Sequence, residues 1–490
     1  MLLILFMMLL AAPLLHAQPC PVAWGPTLQV SNVPFPAFSP KLAVVGDTVH
    51  VTYSAGDIYY RRSPDGGETW EPQVVIVPAD SVNPGAIPPS AFGHNVYAVW
   101  GNRNVSGAIT SIKIRRSTDA GTTWLEPQVL IHNVNTFERL EAPKGAVYDS
   151  SVYVIAYRPI DTQQWFLTRS TDSGVSWDSV RQITFSPYGT GFGAAGDIRA
   201  TTSAMHFTFE RSIPPSGREI VYTRSTDNGS TWSSLEILST IDDYQAWEPN
   251  VAADDAGNVY VSWQDAKYGS IGGFAGTVLL RRSTDNGQTW LPEVQVSSLP
   301  SARGSSLSVD GGSVHAVWDD ERNGFQDGTI QYRGSTDQGA TWCSEMILGG
   351  PLRRALNASI ASASDHVYAV WSSDRSVPGD TAQVFVRRGD ITTNVRQTLG
   401  AVQQSFIVAP PYPNPFNPIT TLEYSIPSDG PVIISIFDNL GRTITIPFEG
   451  SQAAGRYRIT LDGSEWASGV YHVVVRHHNA QIIREVVLIR

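Results

Sequence analysis

An eight-residue pattern, Ser-x-Asp-x-Gly-x-Thr/Ser-Trp, recurs along most of the chain and constrains its fold more than any other feature. Six copies are present, at residues 63–70, 117–124, 170–177, 225–232, 283–290 and 335–342. Their aspartates are 52 to 58 residues apart, which indicates structural units of that length. Within each octad the Gly suits a positive φ, and the Asp and Ser side chains suit hydrogen bonds to their own backbone. The octads are therefore predicted to be tight turns with a packed Trp.

An alternating apolar segment precedes each octad and is typical of a strand with two different faces. Seven such segments occur, one more than the octads, at residues 49–53, 96–100, 152–156, 205–209, 259–263, 314–318 and 367–371. The seventh unit continues through residues 384–388 and then lacks an octad and a following strand. Residues 24–30, Trp-Gly-Pro-Thr-Leu-Gln-Val, are similar to the strand that follows each octad. The N-terminus is therefore predicted to supply the strand that the last unit lacks.

The octads resemble the Asp-box, or bacterial neuraminidase repeat, of the sialidase-like superfamily. In that family the box forms the turn between the third and fourth strands of a β-propeller blade, on the face opposite the ligand site. The resemblance implies structural roles for Asp65, Asp119, Asp172, Asp227, Asp285 and Asp337. We expect an all-β, seven-bladed propeller over residues 20–390, closed by the N-terminal strand 24–31. A six-bladed, sialidase-type ring with an extra hairpin is the alternative.

The chain has two cysteines, and the expected propeller places them near each other. Cys343 directly follows the Trp of the last octad, in the outer strand of blade 6. Cys20 lies just before the N-terminal strand, at the corresponding position of blade 7. Since these outer strands are neighbours and an exported protein meets an oxidising compartment, we expect a Cys20–Cys343 disulfide.

The N-terminus carries an apolar run that is too short to span a bilayer. It ends in Leu-His-Ala, and residues 1–17 are predicted to be a secretory signal peptide cleaved after Ala17. A buried N-terminal element is the alternative. Apart from this run, the sequence contains no apolar stretch long enough for a transmembrane segment.

The repeat stops after Asp390, and residues 391–410 are predicted to be a linker. Alternating strands with Gly and Pro turns then predict a small β-sandwich. The Tyr-Pro-Asn-Pro-Phe-Asn-Pro run at 412–418, the Asp-x-x-Gly-Arg turn at 438–442 and the Ala-Ser-Gly-Val-Tyr strand at 467–471 resemble the type A sorting domain of the type IX secretion system. The resemblance covers residues 411–490.

The sorting-domain resemblance implies that type IX secretion machinery is a partner. It also implies passage across the outer membrane to the extracellular space or the outer cell surface. An adhesive, Ig-like domain without a sorting role is the alternative. The net charge of −11 argues against a nucleic-acid partner, and we expect no metal and no cofactor, because none of their motifs is present.

Basic and acidic residues recur after the second strands of the repeat, where the loops of a propeller share one face. The candidate ligand-binding residues are Arg103, Arg158, Arg211, Asp320, Arg322, Asp374 and Arg375. Several arginines could fork onto a sugar carboxylate, as the arginine triad of sialidases does. The alternative is that Arg and Asp at equivalent positions pair within or between blades, and the repetition favours this alternative.

Sialidase chemistry needs further groups, namely an Arg-Ile-Pro motif before the first box and a Tyr nucleophile activated by a Glu. Residues 34–41 read Pro-Phe-Pro-Ala-Phe-Ser-Pro-Lys, and no Tyr–Glu pair is evident, so the catalytic residues are unknown and catalysis stays open. The expected function is a secreted or cell-surface propeller that binds an extracellular glycan or protein on its loop face. The alternative is an exo-α-sialidase, or another glycoside hydrolase or lyase, that acts on extracellular glycans.

Overall fold

A computed structural model gives the fold as all-β, as the sequence predicts, with no α-helix among the described residues. It describes residues 20–79, 88–103, 109–132, 140–158, 164–184, 195–213, 217–269, 276–322, 327–349, 354–363, 365–374, 381–391, 395–398, 406–428, 430–452, 455–464, 466–478 and 480–489. The predicted signal peptide and Arg375 lie outside these residues.

The strands described up to residue 391 form seven four-stranded antiparallel sheets. The first strand is β1 (Val22–Gln29). Sheet 1 contains β2 (Phe38–Val45), β3 (Thr48–Ala55), β4 (Asp57–Ser63) and β5 (Val74–Val77). Sheet 2 contains β6 (Pro89–Phe92), β7 (Asn95–Arg103), β8 (Ile109–Ser117) and β9 (Gln128–His132). Sheet 3 contains β10 (Glu141–Tyr148), β11 (Ser151–Arg158), β12 (Gln164–Ser170) and β13 (Arg181–Gln182).

The next four sheets repeat this order. Sheet 4 contains β14 (Gly196–Ala200), β15 (Met205–Ile213), β16 (Gly217–Ser225) and β17 (Glu236–Ile237). Sheet 5 contains β18 (Ala246–Ala253), β19 (Val259–Asp265), β20 (Thr277–Ser283) and β21 (Val294–Gln295). Sheet 6 contains β22 (Ala302–Asp310), β23 (Ser313–Asp320), β24 (Thr329–Ser335) and β25 (Met346–Gly349). Sheet 7 contains β26 (Ala355–Ala363), β27 (His366–Ser373), β28 (Gln383–Ile391) and, as its fourth strand, β1.

The first strands of these seven sheets contact one another in a closed ring. The contacting pairs are β2–β6, β6–β10, β10–β14, β14–β18, β18–β22, β22–β26 and β26–β2. Each second strand is consequently packed between two neighbouring sheets. In β19, all seven residues are buried, including the polar Ser262, Gln264 and Asp265.

The N-terminus joins the last sheet. β1 pairs antiparallel with β28, from Val22 opposite Ile391 to Gln29 opposite Phe385. Cys20, just before β1, is disulfide-bonded to Cys343 in sheet 6. The two ends of the ring are therefore connected both by a strand ladder and by a covalent bond.

The octads are the turns between the third and fourth strands, and hydrogen bonds hold each of them. In the second octad Ser117 Oγ donates to Asp119 Oδ1 (2.7 Å), and Gly121 N donates to Ser117 Oγ (2.8 Å). The Thr123 amide and hydroxyl both donate to the Asp119 carboxylate. The bonds from Thr123 lower the pKa of Asp119 to about 2. The same bonds recur in the other five octads.

Arginines link each octad to the preceding sheet. The residue before the octad Ser, or its equivalent in sheet 7, donates to a backbone carbonyl in the next octad around the ring. The pairs are Arg62 with Ala120, Arg116 with Ser173, Arg169 with Asn228, Arg224 with Asn286, Arg282 with Gln338, and Arg388 with Gly66. Gly334 of sheet 6 occupies the position without an arginine, and sheet 7 has no octad to receive one. The disulfide lies at this boundary instead.

The C-terminal residues form two further sheets. One contains β29 (Val395–Thr398), β30 (Ile407–Val408), β31 (Ile419–Ile426) and β34 (Gly455–Asp462). The other contains β32 (Gly430–Asp438), β33 (Thr443–Gln452), β35 (Gly469–His477) and β36 (Ala480–Leu488). Both contribute to one core that includes Leu422, Ile434 and Val475.

Two short strands lie within the segment 391–410, which is predicted to be a linker. β29 pairs with β34, and β30 pairs with β31. These short segments satisfy backbone donors and acceptors at the edges of β31 and β34.

Candidate functional site

A cavity of about 1120 Å³ runs along the inside of the ring. Its lining includes residues from the first strands of all seven sheets. At one end the lining reaches Glu248 and Asn357, near the starts of their strands. At the other end it reaches Asp255 and Gly312, in the turns that follow the first strands. The cavity is therefore a channel along the axis of the ring, and we refer to it as the channel.

The octads lie at one end of the channel. Octad amides donate to the turns that follow the first strands, as Gly66 N does to Asp47 O (2.7 Å) and Gln338 N does to Gly312 O (3.1 Å). Since successive strands alternate in direction, the starts of the first strands lie at the opposite end. The connections between second and third strands lie there too, and we call this end the loop face.

β-Bulges shape the first strands near the loop face. The register against the second strand shifts in sheets 1, 3, 5, 6 and 7. Each shift contains a residue with positive φ, and these residues are Ser39, Ala142, Glu248, Gly304 and Asn357. A bulge re-aims the side chains that follow it, which is why bulges often border functional sites.

The residues that resume pairing after the bulges line the channel at one level. Together with Asp197, which has the same register in sheet 4, we call them the collar. The collar consists of Lys41, Lys144, Asp197, Asn250, Ser306 and Ser359. Although the first strands are equivalent in the fold, the collar is chemically asymmetric, with two cations, one carboxylate and three neutral polar groups.

Protein donors bind the carboxylates of the channel. Asp197 Oδ2 accepts hydrogen bonds from Asn250 Nδ2 (2.8 Å) and Val251 N (3.1 Å). Glu248 Oε2 accepts one from Gly304 N (3.2 Å). These acidic groups therefore hold neighbouring first strands together as well as lining the channel.

Asp319 is the most deeply buried carboxylate at the loop-face end of the channel. It lies at the end of β23 and accepts hydrogen bonds from Asn357 N (2.6 Å) and Ala358 N (2.9 Å) of sheet 7. Burial, helped by the nearby charge of Glu248, raises the pKa of Asp319 to about 7, against the opposing effects of the two backbone hydrogen bonds and of the charge of Lys41. Asp319 can therefore exchange a proton near neutral pH, which is a property of general acids and bases.

The lysines of the collar are placed differently. Neither Lys41 nor Lys144 forms an ion pair or side-chain hydrogen bond within the described residues. Burial lowers the pKa of Lys41 to about 8, and the charge of Lys144 lowers it as well. The ammonium of Lys41 is also influenced by Asp197, Glu248 and Asp319, which belong to three other sheets. Lys41 therefore reaches the interior of the channel.

The predicted residues Asp320 and Arg322 bind each other. Arg322 Nε donates to Asp320 Oδ1 (2.7 Å), and Arg322 Nη2 pairs with Glu345 Oε2 (3.0 Å). The hydrogen bond with Asp320 raises the pKa of Arg322. Sheet 5 repeats the arrangement, since Lys267 N donates to Asp265 Oδ1 and Lys267 Nζ pairs with Glu293. Pairing at equivalent positions, the alternative weighed from the sequence, describes this residue pair.

The other predicted site residues are spread around the loop face. The Arg158 guanidinium lies 4.6 Å from the centre of the Phe166 ring. Arg211 lies opposite Glu219 in the ladder of sheet 4, and Arg103 ends β7 in sheet 2. Asp374 directly follows β27. The lining of the channel includes none of the six described candidates.

The sequence pattern overlooked the collar. One signal could have found part of it, because Pro-Lys occurs at 40–41 and 143–144, and Pro-Asn at 249–250, at equivalent positions in three repeats. Asp319 precedes the predicted Asp320 by one residue and points to the neighbouring sheet instead of the loops. Within the described residues, no group of three or more His, Cys, Asp and Glu side chains is arranged to hold a metal ion.

A comparison with protein families identifies the C-terminal residues but not the ring. Residues 411–489 match the family model of the secretion system C-terminal sorting domain. This match indicates a chain exported to the cell surface or the extracellular space. A comparison with curated proteins found no match. In the part of the chain that the structure describes, no helix has the length and apolar character needed to cross a membrane.

Several solved structures are similar to the chain. Polysaccharide lyase Uly1 is 9% identical, with a TM-score of 0.50 over 74% of this chain and 91% of the lyase. Phage phi92 endosialidase is 11% identical, with a TM-score of 0.46 over 95% of this chain and 87% of that chain. A protein of unknown function from Dyadobacter fermentans DSM 18053 is 14% identical, with a TM-score of 0.47 over 76% of this chain and 99% of that chain. At these identities, the likeness to the lyase concerns the fold alone.

Proposed function

We propose that the chain is a secreted or cell-surface β-propeller that binds an extracellular glycan in the channel, entering from the loop face. The seven sheets are its blades, the octads are Asp-boxes, and β1 closes the ring. Residues 1–17 are the signal peptide, and residues 411–490 are an Ig-like sorting domain read by type IX secretion machinery. The match of residues 411–489 supports the exported location.

The channel is the observation that carries the proposal. Its volume of about 1120 Å³ exceeds the roughly 300–1,000 Å³ of ordinary small-molecule pockets, so it has room for several sugar units. Its walls are the edges of first strands, whose side chains include Ser306 and Ser359. Hydroxyl groups of this kind are donors and acceptors that match sugar hydroxyls. A protein ligand at the loop face is the remaining binding alternative.

A thiol-footprinting experiment tests whether a glycan occupies the channel. A glycan microarray first identifies a bound oligosaccharide. Both native cysteines are in the disulfide, so Ala43→Cys places a single free thiol in the channel lining. We expect the bound oligosaccharide to slow alkylation of this thiol. Val129→Cys, on the exposed outer strand β9, is the matched control and should react at an unchanged rate.

Two results would contradict glycan binding in the channel. One is the absence of any retained glycan on the array. The other is a bound glycan that leaves the alkylation rate of Ala43→Cys unchanged, which would place the ligand elsewhere on the surface.

Glycoside hydrolysis or elimination is a second candidate function, favoured by one observation. Glu248 and Asp319 both line the loop-face end of the channel, and the pKa of Asp319 is raised to about 7. Glycoside hydrolysis uses a pair of carboxyl groups, one of which holds a proton that it can donate near neutral pH, as Asp319 can. Asp319→Asn and Glu248→Gln should each abolish turnover of the bound glycan if it is a substrate. Binding without any release of reducing ends or unsaturated sugars would leave the protein as a binder.

A further inference from the structure

The charged groups of the channel divide into bound carboxylates and unpaired cations. Asp197, Glu248 and Asp319 each accept a hydrogen bond from a backbone amide. Lys41 and Lys144, by contrast, form no ion pair within the described residues. Several basic residues elsewhere in the ring are paired, as Arg322 is with Asp320 and Lys267 is with Glu293. Lys41 and Lys144 differ from these because they line the channel without a protein acceptor within the described residues.

A third cation lies deeper along the same wall. Arg199 follows the collar residue Asp197 by two positions in β14, so the two side chains share a face of the strand. Arg199 is exposed to the channel and has no ion pair within the described residues. Burial in the channel lowers the pKa of Arg199, against the effects of Asp197 and Asp255.

We propose that Lys41, Lys144 and Arg199 form an oxyanion subsite, which binds the carboxylate or sulfate groups of an acidic extracellular polysaccharide. This inference rests on the proposed function, because it specifies the class of glycan that the channel takes. Uronate carboxylates and sulfate esters present the same chemistry to the site, namely oxygen atoms with a negative charge and several acceptor positions. Lysine and arginine donate charge-assisted hydrogen bonds to such groups.

The three cations are spaced along the channel instead of clustered at one point. Lys41 belongs to sheet 1, Lys144 to sheet 3 and Arg199 to sheet 4, and Arg199 lies one level nearer the octads than the lysines. The charge of Lys144 nonetheless acts on Lys41, so the lysines are close enough to share a polyanion. An arrangement of this kind fits successive acidic units of a chain better than a single small anion.

Overall charge makes the inference selective. The net charge of the chain is −11, so a polyanion is repelled at long range and gains affinity only from local contacts. Because the chain as a whole does not attract polyanions, a change in affinity after a substitution in the subsite reports the loss of that local charge. Affinity should fall as salt rises, since the contacts are between charges.

Calorimetric titration of the full chain with three oligosaccharides tests the subsite. The probes are oligogalacturonate, which carries carboxylates, dextran sulfate oligomers, which carry sulfates on a neutral backbone, and plain dextran oligomers. We expect binding of at least one acidic probe. Lys41→Met and Lys144→Met should each weaken that binding about tenfold or more, given what a hydrogen bond to a charged group contributes. Arg199→Met should weaken it as well.

Lys113→Met is the matched control. It removes one positive charge from β8, outside the channel lining, and should change the affinity less than about twofold because charges at a distance are screened. Circular dichroism and the melting temperature of each variant establish that it is folded. Because Met retains an unbranched apolar stem, the folded Lys→Met variants isolate the loss of charge.

The outcomes separate the subsite from the proposed function. Binding of the carboxylated probe alone, or of the sulfated probe alone, supports the subsite and identifies its anion. Plain dextran that protects Ala43→Cys, with no binding of either acidic probe, overturns the subsite while glycan binding stands. Acidic binding that survives in a folded Lys41→Met/Lys144→Met double variant also overturns it. Failure of every glycan on the array removes the proposed function itself.

Discussion

The two ends of the first strands differ in how far the repeat is kept. At the octad end, six turns use the same residue types and the same hydrogen bonds, and the arginine contacts recur around the ring. At the collar, equivalent register positions carry Lys, Asp, Asn and Ser. Repetition at one end indicates a shared mechanical role. Variation at the other end distributes charged and neutral side chains unevenly around the channel, and a ligand can recognise this distribution.

At the boundary between sheets 6 and 7, the arginine contact that links the other sheets to the next octad is absent. Gly334 occupies the position of the linking arginine, and sheet 7 offers no octad to bind. A Cβ added at Gly334 would lie 2.7 Å from Pro21 Cγ, so the N-terminal segment fills the space. The Cys20–Cys343 bond ties that segment to sheet 6. The exception therefore concerns stability and lies at the octad end of the ring, opposite the loop face.

The largest effect on stability is expected from the disulfide, whose removal should leave the channel intact. The bond closes a loop between residues 323 positions apart. Cys20→Ala should lower the free energy of unfolding by about 2–5 kcal/mol, because the unfolded chain regains conformational entropy. Denaturant unfolding measures the loss, and Cys343→Ala should give a loss of similar size. Glycan affinity of the folded variant should stay the same, and a change in it would couple the boundary to the channel.

An octad substitution should have the next largest effect. Ser225 is buried, donates to Asp227 Oδ1 and accepts from Gly229 N, both at 2.7 Å. Ser225→Ala leaves the Gly229 amide without its acceptor and removes one of the hydrogen bonds to Asp227, so it should cost about 1–3 kcal/mol of stability. Ser225→Thr, which restores a hydroxyl, is the partner variant and should recover part of the loss. A neutral result for Ser225→Ala would remove the octad from the stabilising scaffold.

Substitutions in the collar should change glycan affinity more than stability. The ionisation of charged groups in the channel should also make the affinity for an acidic glycan depend on pH. Lys41 has a pKa of about 8 and Asp319 one of about 7, in a channel that also holds Lys144, Asp197 and Glu248. As pH rises from 6 to 9, Asp319 gains negative charge first, and Lys41 then loses its positive charge. Both changes disfavour an anion, so acidic-glycan affinity should fall in two steps.

Substitution separates the two steps of this profile. Lys41→Met should abolish the step near pH 8 and keep the one near pH 7, whereas Asp319→Asn should do the opposite. Calorimetric titrations at intervals of half a pH unit provide the measurement. Affinity that stays flat from pH 6 to 9 in the unsubstituted protein contradicts an anion site at the collar.

The smallest effect on binding is expected at the loop-face arginine that the sequence singled out. Arg322 is engaged by Asp320 and Glu345, so it has little capacity left for a ligand. Arg322→Ala should change glycan affinity by less than about twofold, and it should cost about 1–3 kcal/mol of stability, because the buried Asp320 carboxylate loses its charged partner. A loss of affinity as large as that in Lys144→Met would indicate that the ligand binds at the loop-face arginines instead of the collar.

The sequence predicts the scaffold far better than the site. Octads are readable because each is contiguous and satisfies its own hydrogen bonds, as Ser117, Asp119 and Gly121 do. Collar residues come from segments far apart in the chain, so no local spacing marks them. Their placement depends on bulges at Ser39 and Ala142, which are not glycines although their φ is positive, and propensity alone does not predict this.

The loop-face residues illustrate the opposite error. The sequence singles out Arg322 and Asp320 because charged residues recur where the second strands end. Oppositely charged residues at such positions can also pair with each other, and Arg322 and Asp320 do so. Asp319, one residue earlier, has the opposite orientation because side chains alternate along β23. The sequence alone does not show that Asp319 binds the next sheet and lines the channel whereas Asp320 does not.

A paired measurement tests the central claim, that the repeated end holds the ring together while the non-repeated collar binds the ligand. Calorimetric titration with the preferred acidic oligosaccharide is carried out on Ser225→Ala and on the Lys41→Met/Lys144→Met double variant, both folded. The account predicts unchanged affinity for Ser225→Ala, within about twofold, and a loss of about 100-fold or more for the double variant, as expected for two charge-assisted hydrogen bonds. Unchanged affinity in the double variant would contradict the account.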